Sequence, residues 1–173
     1  MQVLFPINLA QPEDRICSFR KKIIMVCRVV DGEISLIAYY PDYATALEWY
    51  QDRDVVKQVD NREEPYDLPL LKAMYGYLDK NGHLFYIQYQ NRLCGDVCLK
   101  NDGELAIVIC KEYQNKHIGR RVIREMIAFA KELHFREVYA TIYSFNGQSQ
   151  RMFASLGFRK TEEEKYAYRI TEE

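Results

Sequence analysis

The residues best placed to do chemistry lie between Glu104 and Leu133, ELAIVICKEYQNKHIGRRVIREMIAFAKEL. A short apolar run leads into a polar turn, and then into an amphipathic stretch that opens with Gly119, Arg120 and Arg121. Read as strand, turn and helix, this order suits a phosphate-bearing ligand. The first turn of a helix carries backbone N–H groups without internal partners, its dipole is positive there, and a small residue admits an anion to close range. The plainer reading of the two arginines is an ordinary solvated helix face.

The elements that must position this segment follow from spacing. Residues 1–21 are of mixed character and predict irregular chain. Lys22–Val30 and Glu33–Tyr40 are apolar runs around Asp31-Gly32, a hairpin signal. Pro41-Asp42 opens a helix through Ala44, Leu47 and Tyr50, and the charged DRDVVKQVDNREEP is a short helix or a surface loop. Leu68, Leu71 and Leu78 mark a further helix, closed by a turn at Asn81-Gly82. His83–Gln90, Arg92–Lys100 and Glu104–Cys110 are consecutive strands joined by tight turns. After the long helix, Arg136–Tyr143 is a strand reached through a crossover, so it runs parallel to Glu104–Cys110. Asn146–Leu156 is a shorter helix stopped by Gly157, and Phe158–Lys160 with Tyr166–Ile170 forms a final strand pair.

Bulk properties exclude several classes. The chain has 173 residues, 24 Lys plus Arg against 25 Asp plus Glu, and a net charge of −1. That length supports one domain (31–173) preceded by an N-terminal extension (1–30), and without a basic excess there is no expectation of a nucleic-acid partner. No apolar run approaches the ~18 residues of a membrane span, and the start lacks the pattern of a signal peptide. Cys17, Cys27, Cys94, Cys98 and Cys110 are an odd number set mostly in apolar runs, as in a reduced, cytoplasmic protein. They show no metal-ligand spacing with His83, His117 or His134, so no metal site is expected. Fourteen Tyr residues suit a core that borders a groove, or reflect compositional drift.

The second half resembles the GCN5-related N-acetyltransferase (GNAT) superfamily. Its loop pattern Gln/Arg-x-x-Gly-x-Gly/Ala is matched by Gln114-Asn115-Lys116-His117-Ile118-Gly119. Its downstream pattern is matched by Asn146, Ser149, Phe153 and Leu156-Gly157-Phe158. The pattern is closest to the subgroup that acetylates ribosomal-protein N-termini. The resemblance implies an α/β (α+β) fold, with a mixed, mostly antiparallel sheet, one parallel strand pair that splays apart, and helices on both faces. It implies transfer of acetyl from acetyl-CoA to a primary amine by direct attack, and it admits a homodimer.

Carried over residue by residue, the resemblance places the pantetheine arm along Ile107, Val108 and Ile109, with Asn146, Ser149 and Phe153 beside it. The pyrophosphate falls on the N–H groups of Asn115, Lys116, His117, Ile118, Gly119 and Arg120, with Arg120 or Arg121 at the mouth. His117 departs from the family's Gly; His is enriched among the non-Gly residues that tolerate φ > 0. Neutralising a lysine-like amine of pKa ~10.4 at pH 7 costs about 4 to 5 kcal/mol, so a carboxylate must take its proton. Glu104 is the first candidate and Glu112 the second. Phe153 stands where many relatives carry a Tyr acid, which leaves Tyr143, or Tyr166 and Tyr168, to protonate the thiolate. Trp49, Tyr50 and Tyr75 are candidates to line the acceptor groove, or core residues of their helices. The rival reading is an acyl-CoA-binding module without turnover.

Overall fold

The computed structural model describes residues 27–171. The chain begins there with β1 (Cys27–Val29) and β2 (Ile34–Ala38), followed by α1 (Tyr43–Tyr50), α2 (Arg53–Asp60) and α3 (Leu68–Asn81). β3 (Gly82–Tyr89), β4 (Arg92–Lys100) and β5 (Leu105–Ile109) lead to α4 (Ile118–Glu132). β6 (Glu137–Thr141), α5 (Gly147–Ser155), β7 (Arg159–Glu162) and β8 (Lys165–Arg169) complete it. β1 to β5 form an antiparallel meander in sequence order, and a second sheet has the order β6-β8-β7.

The two sheets touch at one parallel bridge, Glu104 with Tyr139, where the Tyr139 N–H donates to the Gly103 carbonyl at 3.0 Å. Beyond it β5 and β6 part. The expected parallel pair is therefore present, and splayed almost from its first residue.

β4 shows why helices are needed on both faces. Its residues from Cys94 to Leu99 are all buried, so neither face of the strand meets water. Tyr86, Asp96 and Val108 stand opposite one another across β3, β4 and β5, and therefore share one face. That face meets α1 and α3, whose Tyr50 and Tyr75 hydroxyls reach Asp96. The alternate residues turn to α4, where Phe85 meets Phe129 edge-on at 5.7 Å.

Local chemistry starts the helices. Asp42, Asp52 and Asp67 cap α1, α2 and α3 by accepting from Thr45, Val55 and Leu70 backbone N–H groups at 3.3, 3.1 and 2.8 Å. Gly157 ends α5 with φ 95°, in the left-handed region expected of it. The charged stretch after Tyr50 is a helix and not a loop, because Val55 and Val56 give it a buried side. The turn expected at Asn81-Gly82 is absent: α3 passes directly into β3. A Cβ on Gly82 would meet the Leu99 carbonyl oxygen at 2.7 Å, so a close strand approach explains this glycine.

The β1–β2 hairpin turns at Asp31-Gly32, and the Asp31 carboxylate accepts from the Glu33 and Ile34 N–H groups. Two ion-pair sets strap the hairpin to α4. Arg28 bridges Glu125 and Glu132 while lying 4.4 Å over the Phe129 ring, and Arg121 bridges Asp31 and Glu33. Of the extension expected over residues 1–30, all but its last strand lies outside the described residues.

Candidate active site

The fork between β5 and β6 opens into a cavity of about 650 Å³. Antiparallel pairing decides what β5 shows it. The bonds from Lys100 N to Glu104 O and from Cys110 N to Cys94 O fix which residues face β4. In an antiparallel ladder such residues alternate, so Ala106 and Val108 bond to β4 while Leu105, Ile107 and Ile109 turn their N–H and C=O groups away from it, Leu105 at the bridge to β6 and the other two into the fork. Of the three residues expected to lie along the pantetheine, Val108 thus presents only its side chain.

One end of the cavity is the start of α4. Asn115 and His117 hold φ of 62° and 59°, so the left-handed conformation expected of His117 is present. His117 occupies the N-cap position and offers no capping hydrogen bond, leaving the N–H groups of the first turn free of a capping side chain. Gln114, Asn115, His117, Ile118, Gly119 and Arg120 all line the cavity. Lys116 does not; its ammonium lies 4.8 Å from the Tyr113 ring centroid. Arg121 is drawn off to the β1–β2 hairpin, while Arg120 forms no ion pair among the described residues. The Gln114 amide donates to the Ile109 carbonyl at 3.0 Å and pins the loop to the strand it follows.

α5 forms the opposite wall. Asn146 caps it, accepting from Ser149 N–H at 3.1 Å, and donates to the Gln58 carbonyl of α2 at 3.3 Å across the cavity mouth. Ser149 and Phe153 line the cavity, and the Phe153 ring stands edge-on to Phe158 at 4.9 Å. Tyr143 lines it as well, stacked on Phe145 with centroids 5.5 Å apart. Burial and nearby acids raise the Tyr143 phenol above its usual value.

Glu104 sits where the fork closes. One carboxylate oxygen is paired with the Lys100 ammonium and the other accepts from the Thr141 hydroxyl of β6 at 2.8 Å. It lines the cavity with both oxygens engaged. Glu112, in the turn after β5, is exposed and off the wall.

The acceptor-side candidates divide. Tyr50 lines the cavity, but Trp49 and Tyr75 do not. Trp49 is core packed edge-on to Tyr86 at 5.8 Å, and Tyr75 lies beneath the wall, fully buried. For these two the alternative reading holds: they are core residues of their helices. Tyr39, Tyr50, Tyr66, Tyr75 and Tyr86 form a connected aromatic cluster under the cavity, which accounts for much of the tyrosine richness.

Asp96 was missed by sequence reasoning. It is 3% exposed, lines the cavity, and accepts from the Tyr75 hydroxyl at 2.8 Å and the Tyr50 hydroxyl at 3.0 Å. Burial pushes its carboxyl up to about 7, against the pull of the two hydroxyl bonds. The available signal was one acid inside the otherwise uncharged run LCGDVCL.

The arrangement is that of an acyl-CoA N-acyltransferase: a splayed strand pair, with a helix start open to anions at the end of the fork. The sequence profile of the acetyltransferase (GNAT) family matches residues 43–158, and the chain belongs to that family. It is an N-acetyltransferase with acetyl-CoA as co-substrate. No curated protein sequence matches the chain.

Solved structures with the same fold include a GNAT-family acetyltransferase from Bacillus anthracis, 18% identical, TM-score 0.68, covering 80% of this chain and 95% of its own. A spermidine N-acetyltransferase from Vibrio cholerae, in complex with CoA and spermine, is 17% identical with TM-score 0.66, covering 79% and 93%. An acetyltransferase from Salmonella typhimurium that modifies the N-terminal serine of ribosomal protein L7/L12 is 11% identical with TM-score 0.68, covering 84% and 99%.

Proposed function

We propose that the chain moves acetyl from acetyl-CoA to a primary amine by direct attack, with no acyl-enzyme. The observation that carries this reading is the fork. Ile107 and the Ile109 N–H turn to the side that β6 has left, and the free N–H groups of α4 lie at the end of the same groove. A pantetheine arm has amides spaced to pair with such an edge, and a pyrophosphate suits the helix start.

The bound co-substrate supplies a thioester already activated for acyl transfer. The residues of this chain do the rest. The α4 start and Arg120 hold the phosphates, and Ile107 and Ile109 fix the arm. An N–H on the open side of β5, that of Ile107 or Ile109, would be the donor to the thioester oxygen, the Val108 N–H being committed to β4. Ser149 and Phe153 wall the arm from water. Tyr143 is one of the hydroxyls on the cavity wall, and to it we assign the return of a proton to sulfur, a role Phe153 cannot fill. Lacking that acid slows transfer only moderately, since a thiol of pKa ~8.5 is a fair leaving group. That a fold relative was solved with CoA and spermine supports an amine acceptor.

The test is calorimetry with acetyl-CoA beside thiol release against a panel of amines. Micromolar binding with release dependent on one amine class is expected. Tight binding without release for any amine would leave a binding module, and no binding would end both readings.

A further inference from the structure

The cavity holds a carboxylate set deeper than Glu104. We propose that Asp96 takes the proton of the acceptor amine, and that its cluster with Tyr50 and Tyr75 selects acceptors arriving as alkylammonium ions. This rests on the N-acetyltransferase reading above and adds to it the residue that handles the proton.

Position is the first argument. Asp96 is opposite Val108 in the β4–β5 ladder, so both side chains stand on one face, on strands ~4.8 Å apart. The carboxylate therefore lies next to the strand along which the thioester arm runs, on the face that carries α1, α2 and α3.

Free acceptor capacity is the second. Oδ2 takes the bonds from Tyr75 and Tyr50 at 2.8 and 3.0 Å, whereas Oδ1 has only the same Tyr50 hydroxyl at 3.3 Å. An ionised carboxylate offers about four lone-pair sites, so Oδ1 keeps room for an incoming N–H. Glu104, in contrast, has both oxygens committed to Lys100 and Thr141.

The surroundings are the third argument. Tyr50 faces Asp96 from α1, Tyr75 from α3, Tyr66 from the turn before α3, and Tyr86 and Cys98 from the sheet. Asp60 of α2 is the charged group that it feels, and no ion pair among the described residues includes Asp96. Asp60 and Tyr66 line the same cavity. The Arg62 guanidinium stands 5.5 Å from the Tyr66 ring centroid, which leaves Asp96 and the Tyr50 ring as the part of this lining able to receive a cation.

The proton balance is complete. The ammonium gives one proton to Asp96 and becomes a nucleophile. Its nitrogen forms the bond to the acetyl carbon as the carbon–sulfur bond breaks. The second nitrogen proton leaves as the amide forms, sulfur departs as thiolate and collects a proton, and Asp96 releases the first to water. A base titrating near neutrality, as burial makes Asp96, suits this task.

The test uses the whole chain with butylamine, protonated at neutral pH, and aniline, already neutral there. For wild type, kcat/KM on butylamine rises with pH through about 7 and levels off. Asp96→Asn lowers kcat/KM for butylamine at pH 7 by about 10²–10⁴-fold, yet for aniline by less than about tenfold. Its residual rate on butylamine keeps climbing toward the amine's own pKa of ~10.4. Tyr75→Phe removes a bond that holds the carboxyl down, and so moves the wild-type rise to higher pH. Acetyl-CoA affinity by calorimetry stays unchanged in both variants.

A rate on butylamine within about threefold of wild type in Asp96→Asn, or loss of the rise in Glu104→Gln instead, would overturn the assignment while leaving the acetyltransferase standing. Should Asp96→Asn fail to fold, an unshifted rise in Tyr75→Phe overturns it equally. Absence of turnover in wild type on every amine fells the acetyltransferase reading itself.

Discussion

Asp96 also makes a prediction about stability that needs no substrate. Its carboxyl stands at about 7 in the folded chain against 3.8 for an ordinary aspartate. The folded state therefore binds a proton that the unfolded chain has lost throughout that interval. Stability contributed by the neutral form is fully present below the unfolded value and is lost as pH rises through the folded one. Each pH unit between the two is worth about 1.4 kcal/mol, so the whole interval amounts to about 4 kcal/mol and the part from pH 5 to 7 to about 3.

His83 works in the opposite sense. Burial lowers its pKa, so stability is lost as pH falls through the ordinary value of 6.5. The lowered acids Asp31, Glu33 and Glu132 act near and below their ordinary values of 3.8 and 4.5, outside the window. Comparison with Asp96→Asn cancels these contributions. Urea unfolding followed by circular dichroism at pH 5, 6, 7 and 8 should show the variant gaining on wild type by about 3 kcal/mol across the series. Parallel stability curves for the two proteins would refute the reasoning, because they would mean that Asp96 titrates alike in both states.

Other outcomes follow from the cofactor end. Arg120→Ala should raise the acetyl-CoA Kd about tenfold, the worth of a charge-assisted contact, with calorimetry as the readout. Arg121→Ala should leave that Kd within about twofold and cost about 1 kcal/mol of unfolding free energy, since its partners are the hairpin acids. His117→Gly trades a left-handed side chain for backbone entropy, so urea unfolding should change by no more than about 0.5 kcal/mol. A larger loss would show that the imidazole itself holds the loop. Asn146→Ala removes a helix cap and the tie to Gln58; a loss of about 1 kcal/mol and weaker acetyl-CoA binding are expected from melting and calorimetry.

Much of the scaffold could be read from local signals. The strand, turn and helix around Gly119, the left-handed position of His117 and the stop at Gly157 each depend on neighbours a few residues away. Depth was less legible. Trp49 and Tyr75 share a spacing that marks a buried stripe as readily as a groove, and only the sheet beneath them decides. The α2 helix hid behind its charges, although two adjacent valines were enough to seat it. Asp96 needed three separate segments to give it meaning, since α1, α3 and β5 are distant in sequence. The partner of Arg121 could not be read locally, since the hairpin that claims it lies some ninety residues earlier.

The closure at Glu104 acts as a pivot. From there to Ile109 the strand runs five steps, about 17 Å at ordinary rise. A rotation of about 3° of β6 against β5 at that point changes their separation at the far end by nearly 1 Å, and a misplacement of that size can cost ~10²-fold in rate. The three-way contact of Glu104 with Lys100 and Thr141 thus sets the angle at which β6 leaves β5, and with it the width of the fork. Substitutions at Lys100 or Thr141 therefore act as changes of angle, and turnover and acetyl-CoA affinity should feel them together.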